Sequence, residues 1–142
     1  MENSFVFFVS HRWFGTRKAV APDDANNSKA KSLFNFAKWF EAYWHAKYQR
    51  KLRKVYYWMD YFGIDQVDSE KRINGINALP LYISACSGTV EVMGVGDQSH
   101  NHGYYTRAWC LLETVLAFRF QLAGAAPFIL PTDWKPKELE EE

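Results

Sequence analysis

The sequence predicts an α/β domain, an open sandwich with a parallel sheet between helical layers. Three observations predict it. Short apolar runs rich in β-formers (Phe5–Val9, Val55–Met59, Thr89–Met93, Phe128–Leu130) alternate with longer segments of helical spacing. Most of these runs lack the polar alternation of a half-exposed strand, so they read as strands buried on both faces. The alternation of strand and helix implies right-handed crossovers and parallel neighbours.

Each element follows from its residues. Phe5-Val6-Phe7-Phe8-Val9 is the first strand, with Ser10-His11-Arg12-Trp13 at its carboxyl end. Residues 14–27 read as loop, because Gly15, Pro22, Asp23, Asp24, Asn26 and Asn27 are turn formers. From residue 28 to about 50, Leu33, Phe36, Phe40, Tyr43 and Trp44 recur on one helical face, with Asn27 or Ser28 as N-cap. Val55–Met59 is the second strand and runs into a polar, aromatic loop, Asp60 to Gln66. Residues 69–86 are helical, but Gly75 and Pro80 predict a short first piece and a restart near Pro80. Thr89–Met93 is the third strand, 94–103 a loop, and 105–121 a helix. Phe128–Leu130, between Pro127 and Pro131, is a short fourth strand, and the tail from Thr132 ends in an acidic run.

The totals bound the class. The 142 residues suit one domain, placed at 1–131, with 132–142 as an acidic tail, a linker or the start of a further element. Aromatic residues make up 18% of the chain, with six Trp among them. That is more than one core face absorbs, so some should line a cavity or an interface. A net charge of +1 offers no global field for nucleic acid or a membrane surface, and neither is expected as a partner. The local basic run Lys47, Arg50, Lys51, Arg53 and Lys54 falls at a helix C-terminus, where cations complement the dipole; a phosphate patch is the other reading. Two cysteines, Cys86 and Cys110, make no disulfide framework. With no signal-like N-terminus and no apolar stretch near the ~18 residues of a membrane span, a reduced, cytoplasmic setting is expected.

The most informative stretch is Tyr104-Tyr105-Thr106-Arg107-Ala108-Trp109-Cys110-Leu111-Leu112-Glu113. It sets a single carboxylate in an aromatic and aliphatic run at a helix start. If Glu113 is buried, desolvation disfavours its charge, and such groups are seldom kept for stability alone. It is either a catalytic carboxylate or a helix-surface glutamate with apolar neighbours. In an open parallel sheet, ligands bind outside the carboxyl ends of the strands. Ser10–Trp13, Asp60–Gln66 and the start of the Glu113 helix all follow strand ends, and this convergence favours the catalytic reading. Gly94-Val95-Gly96 lacks the third glycine of a dinucleotide fingerprint. His100, His102 and Cys110 match no standard zinc spacing, so no metal is expected.

Together these segments resemble the Toll/interleukin-1 receptor (TIR) domain superfamily. Tyr104-x-Thr106-x-x-Trp109-Cys110-Leu111-x-Glu113 is similar to the Y-x-S-x-x-W-C-L-x-E run of plant-type TIR domains. Phe7-Phe8-Val9-Ser10 is similar to their first strand. Trp58-x-Asp60-Tyr61-Phe62-x-Ile64-Asp65-Gln66 resembles the W-x-D-x-x-x-I-x-Q segment of TIR-like proteins related to fungal heterokaryon-incompatibility (HET) domains. The resemblance spans residues 5–131. It implies a flavodoxin-like three-layer sandwich with strand order 2-1-3-4-5, of which the sequence displays four strands. It also implies cleavage of the nicotinamide–ribose bond of NAD+, to ADP-ribose or a cyclised form, in immune or cell-death signalling. NAD+ is then substrate, and no bound cofactor is expected. The indispensable side chain falls on Glu113. Self-association is expected to complete the site, and further domains or partner proteins are expected outside this chain.

The resemblance also suggests roles for the other strand-end residues. Trp13, Phe62, Tyr104 and Trp109 would sandwich the nicotinamide and adenine rings, or else pack in the core. Arg12 would bind the diphosphate, with Ser10 and His11 adding hydrogen bonds, or else pair with Asp60 or Asp65. Asp60 and Asp65 would hold ribose hydroxyls or cap the following loop. Two other functions stay open: a non-enzymatic homotypic scaffold, and a nucleoside deoxyribosyltransferase-like N-glycosidase.

Overall fold

The computed structural model describes residues 4–11, 14–16, 19–21, 23–50, 54–94, 104–120 and 126–135. The chain runs β1 (Ser4–His11), β2 (Phe14–Thr16), β3 (Ala19–Ala21), α1 (Ser28–Tyr48), β4 (Lys54–Met59), α2 (Asp60–Gly63), α3 (Ser69–Asn77), α4 (Leu79–Ala85), β5 (Gly88–Met93), a 3₁₀ turn (Tyr104–Thr106), α5 (Ala108–Phe120) and β6 (Phe128–Pro131). The main sheet has the order β4-β1-β5-β6, and every pairing in it is parallel. Counting only its own strands, this is the 2-1-3-4 order of a flavodoxin-like sandwich.

Register decides which side chains meet each helical layer. Phe8 lies opposite Trp58 on β4 and Thr89 on β5; Ser10 lies opposite Glu91, and Glu91 opposite Ile129. Successive strand side chains point to opposite faces. Phe7, Val9, Val90, Val92 and Leu130 accordingly pack under Leu33, Phe36 and Phe40 of α1. The rings interlock edge to face: Phe7 sits 5.3 Å from Phe36 and 5.0 Å from Phe40. Fully burying one such side chain is worth about 1.5–3 kcal/mol, so this face holds α1 in place. Phe8 turns the other way, into a cluster with Leu79 and Ile83 of α4 and Ala117 of α5, flanked by Trp58 and Trp109.

Several elements differ in detail from the sequence expectation. Residues 14–21, read as loop, contain an antiparallel hairpin of β2 and β3, with Phe14 opposite Ala21 and Thr16 opposite Ala19. Its three-residue strands are too short to display a period. Asp60–Gly63, also read as loop, forms the single turn α2. Asn27 does occupy the N-cap of α1, in a left-handed conformation, but its side chain makes no capping bond. Asp24 accepts from Ser28 N, and Asp23 accepts from Lys29 N and Ala30 N, so these two carboxylates cap the helix instead. The restart near Pro80 is observed, with α4 beginning at Leu79. Among the described residues no fifth strand of the main sheet occurs. No described helix is long and apolar enough to cross a membrane.

Candidate active site

The carboxyl end of β1 delivers Ser10 and His11 to opposite faces of the sheet. On the α5 face, Glu113 is 2% exposed, which excludes the helix-surface reading. Its position follows from helical spacing. Cys110, Glu113 and Ala117 recur at three and four residues and face the sheet, so the carboxylate occupies a core position one turn beyond Trp109. Ser10 Oγ donates to Glu113 Oε2, and Ser10 Oγ also meets the Tyr104 hydroxyl. A serine has one hydrogen. With that hydrogen on Glu113, Tyr104 donates to Ser10, and the donors run Tyr104 to Ser10 to Glu113.

Electrostatics follow from that burial. Desolvation pushes the Glu113 carboxyl up to about 8, with Asp60 and Glu91 adding like-charge repulsion; hydrogen bonds from Ser10 and Trp109 pull the other way. Burial likewise pushes the Tyr104 phenol far up, so it stays a donor. Tyr104 is fully buried with Met93 and Cys110. Its ring has no open face for a base, so of the two readings given for it the core-packing one describes Tyr104, with its hydroxyl meeting Ser10.

On the other face, His11 is 3% exposed and bridges two elements. Its Nε2 lies 3.2 Å from Asp60 Oδ1, and its Nδ1 lies 3.1 Å from Lys29 Nζ. A lysine ammonium only donates, so Nδ1 accepts and Nε2 carries the hydrogen shared with Asp60. Both ring nitrogens are engaged inside the protein, so His11 positions Asp60 rather than reaching outward. Asp60, at the start of α2, also accepts from Tyr61 N at 2.7 Å. Arg12 and Trp13 lie outside the described residues.

Asp60 and Lys29 each line a cavity. One of about 320 Å³ is lined by Asp60, Ile64, Gln66, Arg72, Ile76 and Trp109. The other, of about 210 Å³, lies beside α1 and is lined by residues including Lys29, Leu33, Met59 and Phe62. Trp109 packs against the Phe8 cluster, as its core-packing reading expects, and also lines the larger cavity. Phe62 lines the smaller cavity, which Trp109 does not reach. Asp65 lines neither. Its carboxylate accepts from Val67 N and Asp68 N at 2.9 Å, and these bonds hold it below the usual carboxylate range. Asp65 is a loop cap.

Sequence reasoning missed two members. Arg72 brings a guanidinium to the larger cavity from α3. Glu91, on β5, is a second buried carboxylate, 1% exposed. Its Oε2 accepts from Tyr105 and its Oε1 meets Thr114, each at 2.6 Å. The available signal for Glu91 was a lone acid inside an apolar strand. Among the described residues no group of His, Cys, Asp and Glu is arranged to hold a metal ion. No family model, curated protein or solved structure matches the chain.

Proposed function

We propose that this domain is a TIR-like N-glycosidase that cleaves the nicotinamide–ribose bond of NAD+, as a hydrolase or cyclase, in immune or cell-death signalling. One observation carries the reading. A buried carboxylate, Glu113, stands on the helix after the third parallel strand, at the carboxyl edge of a sheet of order 2-1-3-4 where ligands of such sheets bind.

The chemistry asks little of the protein. The C1′–N bond breaks with its electron pair passing to the ring, so the cationic nicotinamide leaves neutral and needs no acid. C1′ develops oxocarbenium character, which an ionised Glu113 stabilises or captures. Water, or a nucleophile on the adenine ring, then completes hydrolysis or cyclisation. The pyridinium finds an aromatic wall in Trp109, Asp60 accepts from a ribose hydroxyl, and Arg72 faces the diphosphate. Burial keeps Glu113 protonated near neutrality. Glu113 lines neither cavity, so this reading requires the reacting ribose to pass Trp109, one helical turn away, and a cationic ring then beside the carboxyl favours its ionised form.

Self-association belongs to this reading. α5 is apolar on all sides but buried on one, leaving Leu111, Leu112, Val115 and Phe118 exposed. A second copy of the chain is the proposed cover. The carboxyl's retained proton also favours a second reading, in which Glu113 protonates a neutral nucleobase as it leaves a nucleoside.

The test is nicotinamide release from NAD+ by concentrated protein, followed by chromatography with Glu113→Gln alongside. The expected result is release by the wild type and a loss of at least ~10³-fold in the variant. Base release from deoxynucleosides without NAD+ turnover would move the assignment to the second reading. Turnover of neither, under conditions that force assembly, would leave a scaffold module.

A further inference from the structure

We infer that Glu91 is a positioning residue for Glu113, clamping the Tyr104–Thr106 turn and the middle of α5 to the centre of the sheet. The inference rests on the N-glycosidase reading for its kinetic consequence, but not for its geometry. Glu91 lies opposite Ser10 on the neighbouring strand and on the same sheet face. Consecutive tyrosines therefore reach adjacent strands: Tyr104 bonds Ser10, and Tyr105 bonds Glu91. Thr114, next to Glu113, bonds the other Glu91 oxygen. Ser10 and Tyr104, which hold Glu113 from the sheet and the turn, and Thr114, its chain neighbour, are thus tied to Glu91 directly or through Tyr105.

The clamp tolerates either proton arrangement. Thr114 Oγ1 has one hydrogen and lies 2.6 Å from Glu91 Oε1 and 3.0 Å from the Cys110 carbonyl. Whether threonine donates to the carboxylate or to the carbonyl, a hydrogen bond joins Glu91 to α5, in the second case with a Glu91 proton donating to Thr114. A glutamine at 91 keeps both bonds as well, with its carbonyl accepting from Tyr105 and its amide donating to Thr114. It leaves the clamp in place. The groups facing Glu113 are Ser10 of β1, Asp60 of α2 (held by His11), Glu91 of β5, Tyr104 of the turn and Trp109 of its own helix, while α4 presents apolar Leu79 and Ile83. Glu91 and Asp60 are the like charges in that set, and Glu91 is the one whose removal leaves the larger cavity's lining intact.

Three variants, Glu91→Gln, Glu91→Ala and Tyr105→Phe, separate clamp from charge. For Glu91→Gln, which keeps both hydrogen bonds, kcat on NAD+ should stay well above that of Glu91→Ala. For Glu91→Ala, kcat should fall about tenfold or more with KM little changed, and Tyr105→Phe, whose half-exposed ring spares the core, should show a smaller fall of the same kind. Wild-type kcat in Glu91→Ala and Tyr105→Phe, or a Glu91→Gln kcat as low as that of Glu91→Ala, overturns the inference. The titration of the Glu113 side-chain carboxyl, followed by ¹³C NMR in wild type, Glu91→Gln and Glu91→Ala, needs no turnover. A midpoint in Glu91→Ala that departs from that of Glu91→Gln supports the inference even where NAD+ proves not to be a substrate, because the two variants differ in the clamp and not in charge, and equal midpoints overturn it.

Discussion

At the scale of single residues, Glu113 trades stability for chemistry, and pH reads the trade. Its carboxyl, about 4.5 when solvated, is pushed up to about 8 by burial. The folded state therefore binds this proton more tightly than the unfolded chain. The stability it contributes is complete below pH ~4.5, is lost as pH rises toward 8, and is flat beyond. Glu113→Gln stays neutral throughout. Its melting temperature, relative to wild type, should climb between pH 5 and pH 8 and level off above, as differential scanning fluorimetry across that range would show. A parallel pair of curves would mean that Glu113 is not the buried acid described here. Glu113 was legible because it is the only carboxylate in a long apolar helical run. Glu91 was not, because one acid in Thr89-Val90-Glu91-Val92-Met93 also fits a strand with one wet position. What buries it, Thr114 and Tyr105, arrives from elements later in the chain.

At the scale of elements, the one-turn helix α2 carries the site's exposed edge. It begins with Asp60 and ends at Gly63, directly against Trp58 of β4. A Cβ on Gly63 would lie 2.5 Å from Trp58 Cζ2 and 2.7 Å from Cε2. That indole cannot retreat, because it is stacked between Phe8 at 5.3 Å and Tyr82 at 4.8 Å. Gly63→Ala should therefore cost about 1–3 kcal/mol by overpacking, measured by urea unfolding. The displaced turn should also weaken Asp60's grip on His11 and raise KM for NAD+. Elements of this size escape a periodicity reading. Four residues of α2 and three each of β2 and β3 are shorter than the windows in which helical or strand periods emerge. The long α1 and the buried β1 and β5 declared themselves through their apolar repeats.

At the scale of the whole molecule, the sheet order gathers the site, and one helix face remains uncovered. Strand order is not written in any single strand, since β4 and β5 are alike short apolar runs that both pair with β1. It was reachable only through the resemblance carried by the Tyr104–Glu113 motif. The placement of α5 has a consequence for assembly. The helix buries Cys110, Glu113 and Ala117 against the sheet and leaves Phe118 64% and Val115 55% exposed. Contiguous apolar surface of this kind on a small domain marks an association site. The buried face of the same helix carries Glu113, so a partner seated on the outer face would restrict the motion of the helix that holds the carboxylate. If assembly arms the site in this way, specific NAD+ turnover should rise with protein concentration. Phe118→Asp should abolish that rise, and sedimentation should show only monomer, while circular dichroism and melting temperature stay near wild type because the side chain is outside the core. A variant that keeps both the concentration dependence and the wild-type oligomer would place the contact elsewhere.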